Sequence, residues 1–278
     1  CLQPGSQKND GRNELRHDPV RRRQRRQTVC SDNTGRKLRK RQRHQLIIMK
    51  YFESHAHYDD RRFREDREEL LRELLPASGV SHIINIGCDV KSSENSVRMA
   101  DKYDYVYAAV GVHPHELYDM SSQTIDKLRK LSEHKKVVAI GEIGLDYHYD
   151  THPREYQRFW FIQQLRLAEE TGLPVVIHSR EASQDTFEII ERSKVRRGSI
   201  HCYSGSAEMA KEYVKMGFHI GVGGVVTFPN AKKLVEVVEA IPIESILIET
   251  DCPYLAPAPN RGKRNDSSNL KYIVEKIA

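Results

Sequence analysis

Histidine and carboxylate residues recur at the ends of apolar runs in this chain. The first case is Tyr51-Phe52-Glu53-Ser54-His55-Ala56-His57. Side chains on a strand alternate faces, so His55 and His57 point the same way and can grip one metal ion. Alone the pattern is weak: the chain holds 13 His, and His113-Pro114-His115 is a second pair of the same spacing. Further along, Glu142 sits between glycines in Ile140-Gly141-Glu142-Ile143-Gly144-Leu145-Asp146. An ionised Glu among apolar residues is costly unless it is paired or bound to a cation. A buried ion pair and a bridge between two ions both remain open for it. Val175-Val176-Ile177-His178 and Ser199-Ile200-His201 each end on His, and Ile246-Leu247-Ile248-Glu249-Thr250-Asp251 ends on Asp. These N and O donors suit a pair of divalent ions such as Mg, Mn or Zn, with about three ligands per ion and room for water and substrate. Two ions can activate a water and neutralise a phosphoryl oxygen, and Asp251 is placed to accept the water's proton.

Short β-rich runs must carry these residues. They fall at Tyr51–His55, His82–Gly87, Val106–Val112, Val137–Gly144, Pro174–His178, Gly198–His201, Phe218–Gly223 and Ile246–Thr250. Amphipathic helical patterns lie between them at 64–75, 153–171, 184–193, 206–216 and 230–239. Such alternation argues a parallel sheet, and eight repeats argue a TIM-type (β/α)8 barrel of α/β class. A doubly wound open sheet is the alternative. It would spread the strand ends along an edge, whereas a barrel turns all of them toward one mouth. Residues 269–278 begin a further helix pattern and then stop, so a truncated last helix is expected.

Residues 1–48 differ from the rest. They hold 14 Lys and Arg against four Asp and Glu, a net of +10 where the whole chain is +6. The remainder is therefore acidic, and the basic balance of the chain says nothing about nucleic acid binding by the folded part. A segment so polar and aperiodic is expected to be a disordered extension, with 49–278 as the folded domain. A basic arm for nucleic acid is the alternative reading of that extension. The cysteines are Cys1, Cys30, Cys88, Cys202 and Cys252. An odd, scattered set without Cys-x-x-Cys argues against a disulfide framework, and a cytoplasmic location fits best. No apolar run approaches the roughly 18 residues of a membrane span, so no membrane partner is expected.

From residue 49 onward the sequence resembles the TatD family of metal-dependent deoxyribonucleases. The motifs that carry the resemblance are Ser54-His55-Ala56-His57-Tyr58-Asp59, Gly111-Val112-His113-Pro114-His115, Gly141-Glu142-Ile143-Gly144-Leu145-Asp146, His178-Ser179-Arg180, His201-Cys202-Tyr203-Ser204-Gly205 and Glu249-Thr250-Asp251-Cys252-Pro253-Tyr254-Leu255. The resemblance implies that His55, His57 and Asp251 hold one ion, that His178 and His201 hold a second, and that Glu142 bridges. It implies cleavage of DNA phosphodiesters, with single strands or 3′ ends as substrate, by a monomer or weak oligomer. A deacylase acting on an ester or amide such as aminoacyl-tRNA is the alternative on the same site. A non-catalytic metal scaffold is a third reading, and the complete donor set speaks against it. Arg261, Lys263 and Arg264 lie in the loop after Asp251, and Arg180 lies just past His178. All four are expected to bind substrate phosphates. His113 and His115 stay outside the donor set as groups lining the mouth, and Tyr203 is open between stacking on a base and ordinary packing.

Overall fold

The computed structural model describes residues 49–278; the expectation for residues 1–48 lies outside the described residues. Eight parallel strands run in sequence order as β1 (Tyr51–Ala56), β2 (Val80–Ile86), β3 (Val106–Val110), β4 (Val137–Asp146), β5 (Val175–Arg180), β6 (Gly198–Ile200), β7 (Phe218–Val222) and β8 (Ile246–Ile248). The helices between them are α1 (67–77, with a π turn at Leu70–Leu74), α2 (Val90–Lys102), α3 (Ser122–Ser132), α4 (Arg154–Thr171), α5 (Ser183–Arg192), α6 (Ala207–Lys215), α7 (Lys232–Ala240) and α8 (Leu270–Ile277). This is a nearly closed (β/α)8 barrel. No helix among the described residues is long and apolar enough to cross a membrane.

Alternation along the strands sorts side chains between two cores. Ala108, Val110, Ile140, Val175 and Ile177 pack outward with Phe161, Leu165 and Ile190 of the helices. Ala109, Ala139 and Val176 alternate with them and form a separate cluster with Ile86, facing the barrel interior. His178 and Arg180 share the interior face with Val176, two and four residues on. Glu142 needs a different device. Ile140 and Ile143 both pack in the outer core although they are three apart, which a regular strand forbids. The register of β4 against β5 shifts between those two residues, and that irregularity turns Glu142 inward.

The barrel closes between its first and last strands. The Asp251 amide donates to the His55 carbonyl at 3.0 Å, and the His57 amide to that of Cys252 at 2.9 Å. Glu53 lies buried across the seam. Its Oε1 accepts from the amides of Thr250 at 2.8 Å and His55 at 3.2 Å, and its Oε2 accepts from the Thr250 hydroxyl at 2.6 Å. Burial pushes its carboxyl up to about 7 against the pull of these hydrogen bonds.

Two helices add to those expected from the sequence. Helix α2 buries Ser93, Ser96, Met99 and Ala100, mostly small residues, because it lies close to the sheet. Ser93 Oγ bonds the backbone of Gly111, and a Cβ on Gly87 would stand 2.2 Å from that same oxygen. Helix α3 fully buries only Leu128. Both begin with a reciprocal cap, Asp89 with Ser92 and Ser121 with Thr124.

Gly144 shows how tightly β4 meets β5. Its φ is +146°, and a Cβ there would stand 1.9 Å from the carbonyl oxygen of His178. Backbone cannot yield as a flexible side chain can. Gly144→Ala is expected to cost about 3 kcal/mol or more and to lower Tm by roughly 10 °C in a thermal melt. An unchanged melt would show that β5 shifts freely.

Candidate metal centre

Four donors meet at the end of β1 and the segment after β8. His55 Nε2 lies 3.1 Å from His57 Nε2, 3.4 Å from Glu142 Oε2 and 3.7 Å from Asp251 Oδ1. His57 Nε2 lies 3.3 Å from Asp251 Oδ1 and 3.9 Å from Glu142 Oε2. Ligands about 2.1 Å from a tetrahedral ion stand about 3.4 Å apart. The donor set fits one divalent ion in both spacing and chemistry. Glu142 turns its other oxygen to a second group. Oε1 lies 2.9 Å from His178 Nδ1, 3.6 Å from His201 Nε2 and 3.8 Å from His113 Nε2. The structure thus brings His55, His57, Glu142, His178, His201 and Asp251 into one cluster, with one carboxylate facing two donor groups.

Partners on the far side of the rings aim these nitrogens. His57 Nδ1 lies 3.1 Å from the Ile86 carbonyl. His178 Nε2 lies 3.0 Å from Asp146 Oδ2, and His201 Nδ1 lies 3.1 Å from Glu249 Oε1. The His57 and His178 contacts fix the tautomer and leave the inward nitrogen free for a ligand bond, whereas His201 Nδ1 faces Glu249 as a charge contact without a hydrogen bond. His55 Nδ1 is buried without a partner; its ring is held instead by stacking on His201, with centroids 3.5 Å apart.

Asp146 and Glu249 are therefore working parts of the site that sequence reasoning left without a role. Each is an acidic residue at the end of an apolar run, which was the available signal. Cys88 was also missed. Its Sγ lies 3.7 Å from His57 Nδ1, at the end of the run through β2.

His113 approaches the second group but differs from it. Its Nδ1 accepts a hydrogen bond from the His115 amide at 3.1 Å. The proton of the neutral ring then sits on Nε2, which makes that nitrogen a donor rather than a ligand. Burial, with the charge of His178, holds the imidazole well below its usual range and so keeps it neutral.

The electrostatics are those of a carboxylate among imidazoles. Burial works to raise the Glu142 carboxyl, but the charge of His201 and the hydrogen bond with His178 outweigh it and hold it well below the ordinary range. Burial acts against the His201 cation, and Glu249 and Glu142 overcome it, pushing that imidazole up to about 9. Asp251 is held below its usual value in the same way, by the His57 hydrogen bond and the charge of His201 against burial.

The cluster floors a cavity of about 570 Å³ lined also by Asp60, His115, Tyr149, Arg180 and Tyr254. Of the four expected phosphate ligands, only Arg180 is in this lining. Arg264 is engaged elsewhere: it pairs with Asp66, donates to the Arg62 carbonyl at 2.8 Å and lies 4.7 Å over the Phe63 ring. The structure does not bring it into the cavity, and sequence proximity to Asp251 does not reveal the acid on the far side of the loop. Arg261 is exposed with its guanidinium 4.4 Å over Phe228, and Lys263 is exposed outside the cavity. Tyr203 is buried, and its hydroxyl donates to the Ser206 carbonyl at 2.7 Å, which settles it as packing.

Comparison with known proteins agrees with this fold. A family model described as TatD related DNase matches residues 52–278. An uncharacterized metal-dependent hydrolase of Bacillus subtilis, YabD, is 45% identical over 229 residues, covering 82% of this chain and 89% of that protein. A Pantoea ananatis protein named 3'-5' ssDNA/RNA exonuclease TatD is 34% identical over 224 residues, covering 78% of this chain and 86% of its own. Among solved structures, the TatD homolog YJJV from Escherichia coli superposes with a TM-score of 0.78 at 32% identity, over 83% of this chain and 90% of that one. This chain is a metal-dependent hydrolase and belongs to the TatD related DNase family.

Proposed function

We propose that the chain hydrolyses DNA phosphodiesters, removing nucleotides from the 3′ end of single strands with the help of two divalent ions. The observation that carries this reading is Glu142, whose Oε1 and Oε2 face separate donor groups. The name of the Pantoea relative supports the substrate class. Bound divalent ions supply a polarised water and charge neutralisation at the phosphoryl oxygens.

The chain's own residues do the rest. Asp251 keeps Oδ1 toward His55 and His57, and its carboxylate is partly open to the cavity. Held ionised, it accepts the proton of the attacking water. His113 directs its neutral Nε2–H into the cavity and donates to a phosphoryl oxygen. Arg180 neutralises a phosphate beside the scissile bond. Arg261 and Lys263 extend positive charge to phosphates farther along the strand.

The test is digestion of 3′- and 5′-end-labelled single-stranded DNA with Mg²⁺, Mn²⁺ or Zn²⁺ and with chelator, with aminoacylated tRNA in parallel. Stepwise loss from the 3′ end that chelator abolishes is expected. Release of the amino acid from tRNA with the DNA left intact would replace the nuclease reading by a deacylase.

A further inference from the structure

The cavity mouth carries two tyrosines that the fold itself does not require. Tyr149 is 59% exposed and Tyr254 is 47% exposed, whereas Tyr58 and Tyr213 are fully buried in the core. Each exposed ring is layered with a guanidinium. Arg180 Cζ lies 4.8 Å from the centroid of Tyr149, and Arg62 Cζ lies 4.0 Å from that of Tyr254. Arg62 is held in place by Asp60, with Nε to Oδ1 at 3.0 Å and Nη2 to Oδ2 at 2.9 Å. Other arginines stack on Phe63, Phe228, Tyr103 and Tyr147, but none of those rings lines the cavity.

The two stacks flank different donor groups. The Tyr254 ring stands 6.5 Å from that of His57, in the group with His55 and Asp251. The Tyr149 ring stands 5.2 Å from that of His115, whose Nε2 shares Asp146 with His178 of the other group. A chain laid across the centre with its phosphate on the donors therefore meets one stack before the scissile bond and one after it. Both a phenol ring and a planar guanidinium offer a flat face to a nucleobase, and the guanidinium adds charge for the adjoining phosphate.

We propose that Tyr149 with Arg180 and Tyr254 with Arg62 are two base-stacking platforms, one beside each donor group, that make the site selective for unpaired nucleotides. The inference rests on reading the site as a nuclease and adds how its substrate is held. Bases within a duplex have both faces covered by their neighbours, so only a single strand or a frayed end can use the platforms.

The test uses the full chain with Mg²⁺ and a single-stranded oligothymidylate whose last linkages at the 3′ end are phosphorothioates, so that it is bound rather than cut. One of its two terminal bases is replaced by 2-aminopurine, whose fluorescence is quenched on stacking. Wild type is expected to quench it. With the label moved between the two positions, Tyr149→Leu and Tyr254→Leu are each expected to lose the quench at one of them and to bind about tenfold more weakly, with Tyr149→Phe and Tyr254→Phe close to wild type. The phenylalanine variants separate stacking from damage to the fold. Binding without quench, no binding by wild type, or leucine variants that match wild type would each overturn the platforms. Cleavage of the unmodified strand is followed separately. Quench without cleavage would leave the platforms standing and defeat the nuclease reading; cleavage without quench would do the reverse.

Discussion

Glu142→Ala is expected to abolish hydrolysis and to empty both donor groups. This is the largest effect expected of any single substitution, because one side chain serves two groups through its two oxygens. Losing the charge stabilisation that such a site supplies is worth several kcal/mol, which corresponds to a loss on the order of 10³-fold or more in kcat/KM. Metal analysis after gel filtration should show ion content falling together with activity, and added metal should not restore turnover. Glu142→Gln should lose nearly as much, since an amide offers one oxygen where the carboxylate offers two. The carboxylate also balances the imidazoles of His178 and His201, so its removal takes a buried partner from both. Activity unchanged in either variant would sink the bridging role.

Asp251→Asn separates proton transfer from ion binding. Asparagine keeps an oxygen near His57 but cannot take a proton from water. General bases contribute about 10²- to 10⁴-fold, and a fall of that size is expected in kcat, with KM changed little. The backbone at this position has φ +54°, a conformation that Asn tolerates, so the fold should survive the change. Ion content measured on the purified variant should fall by less than in Glu142→Ala. A variant that turns over at the wild-type rate would move the base elsewhere, with Asp60 of the same cavity the next residue to test.

The sequence makes the strands legible because their apolar runs are dense and each ends on a residue that an apolar run does not ordinarily hold. His178, His201 and Asp251 each stand at such an end, so the fold and the candidate donors are visible together. What stays hidden depends on packing distance. Helix α2 lies so near the sheet that serine and alanine face it, which erases the apolar stripe on which helix recognition depends. The caps at Asp89 and Ser121 were readable, and the second opens a short stripe of Ile125, Leu128 and Leu131 in which only Leu128 is fully buried. Helix α1 starts later than the pattern at 64–75 implies, because Arg61–Phe63 forms a separate 3₁₀ turn. In the site, the direction of a side chain is the missing information. Arg264 and Arg261 share a loop with Lys263, yet Asp66 claims the first and Phe228 the second. Partners distant in sequence decide such questions, and the order of residues in the loop does not contain them.

The seam between β1 and β8 gives ion binding a mechanical role. His55 and His57 stand on one side of that seam and Asp251 on the other, and β8 is only three residues long. A cation held by all three staples the two ends of the sheet, much as a disulfide would, across a loop of nearly the whole domain. Unlike a disulfide, the staple comes and goes with ion supply. When it is withdrawn, the hydrogen bonds of Thr250 to Glu53 and the backbone bonds of Asp251 to His55 and of His57 to Cys252 are left to hold the closure. If they yield, two unpaired strand edges open to other chains and to proteases. Scarcity of metal would then reach the amount of the protein as well as its rate, because binding to the folded state alone adds stability in proportion to the logarithm of ion concentration.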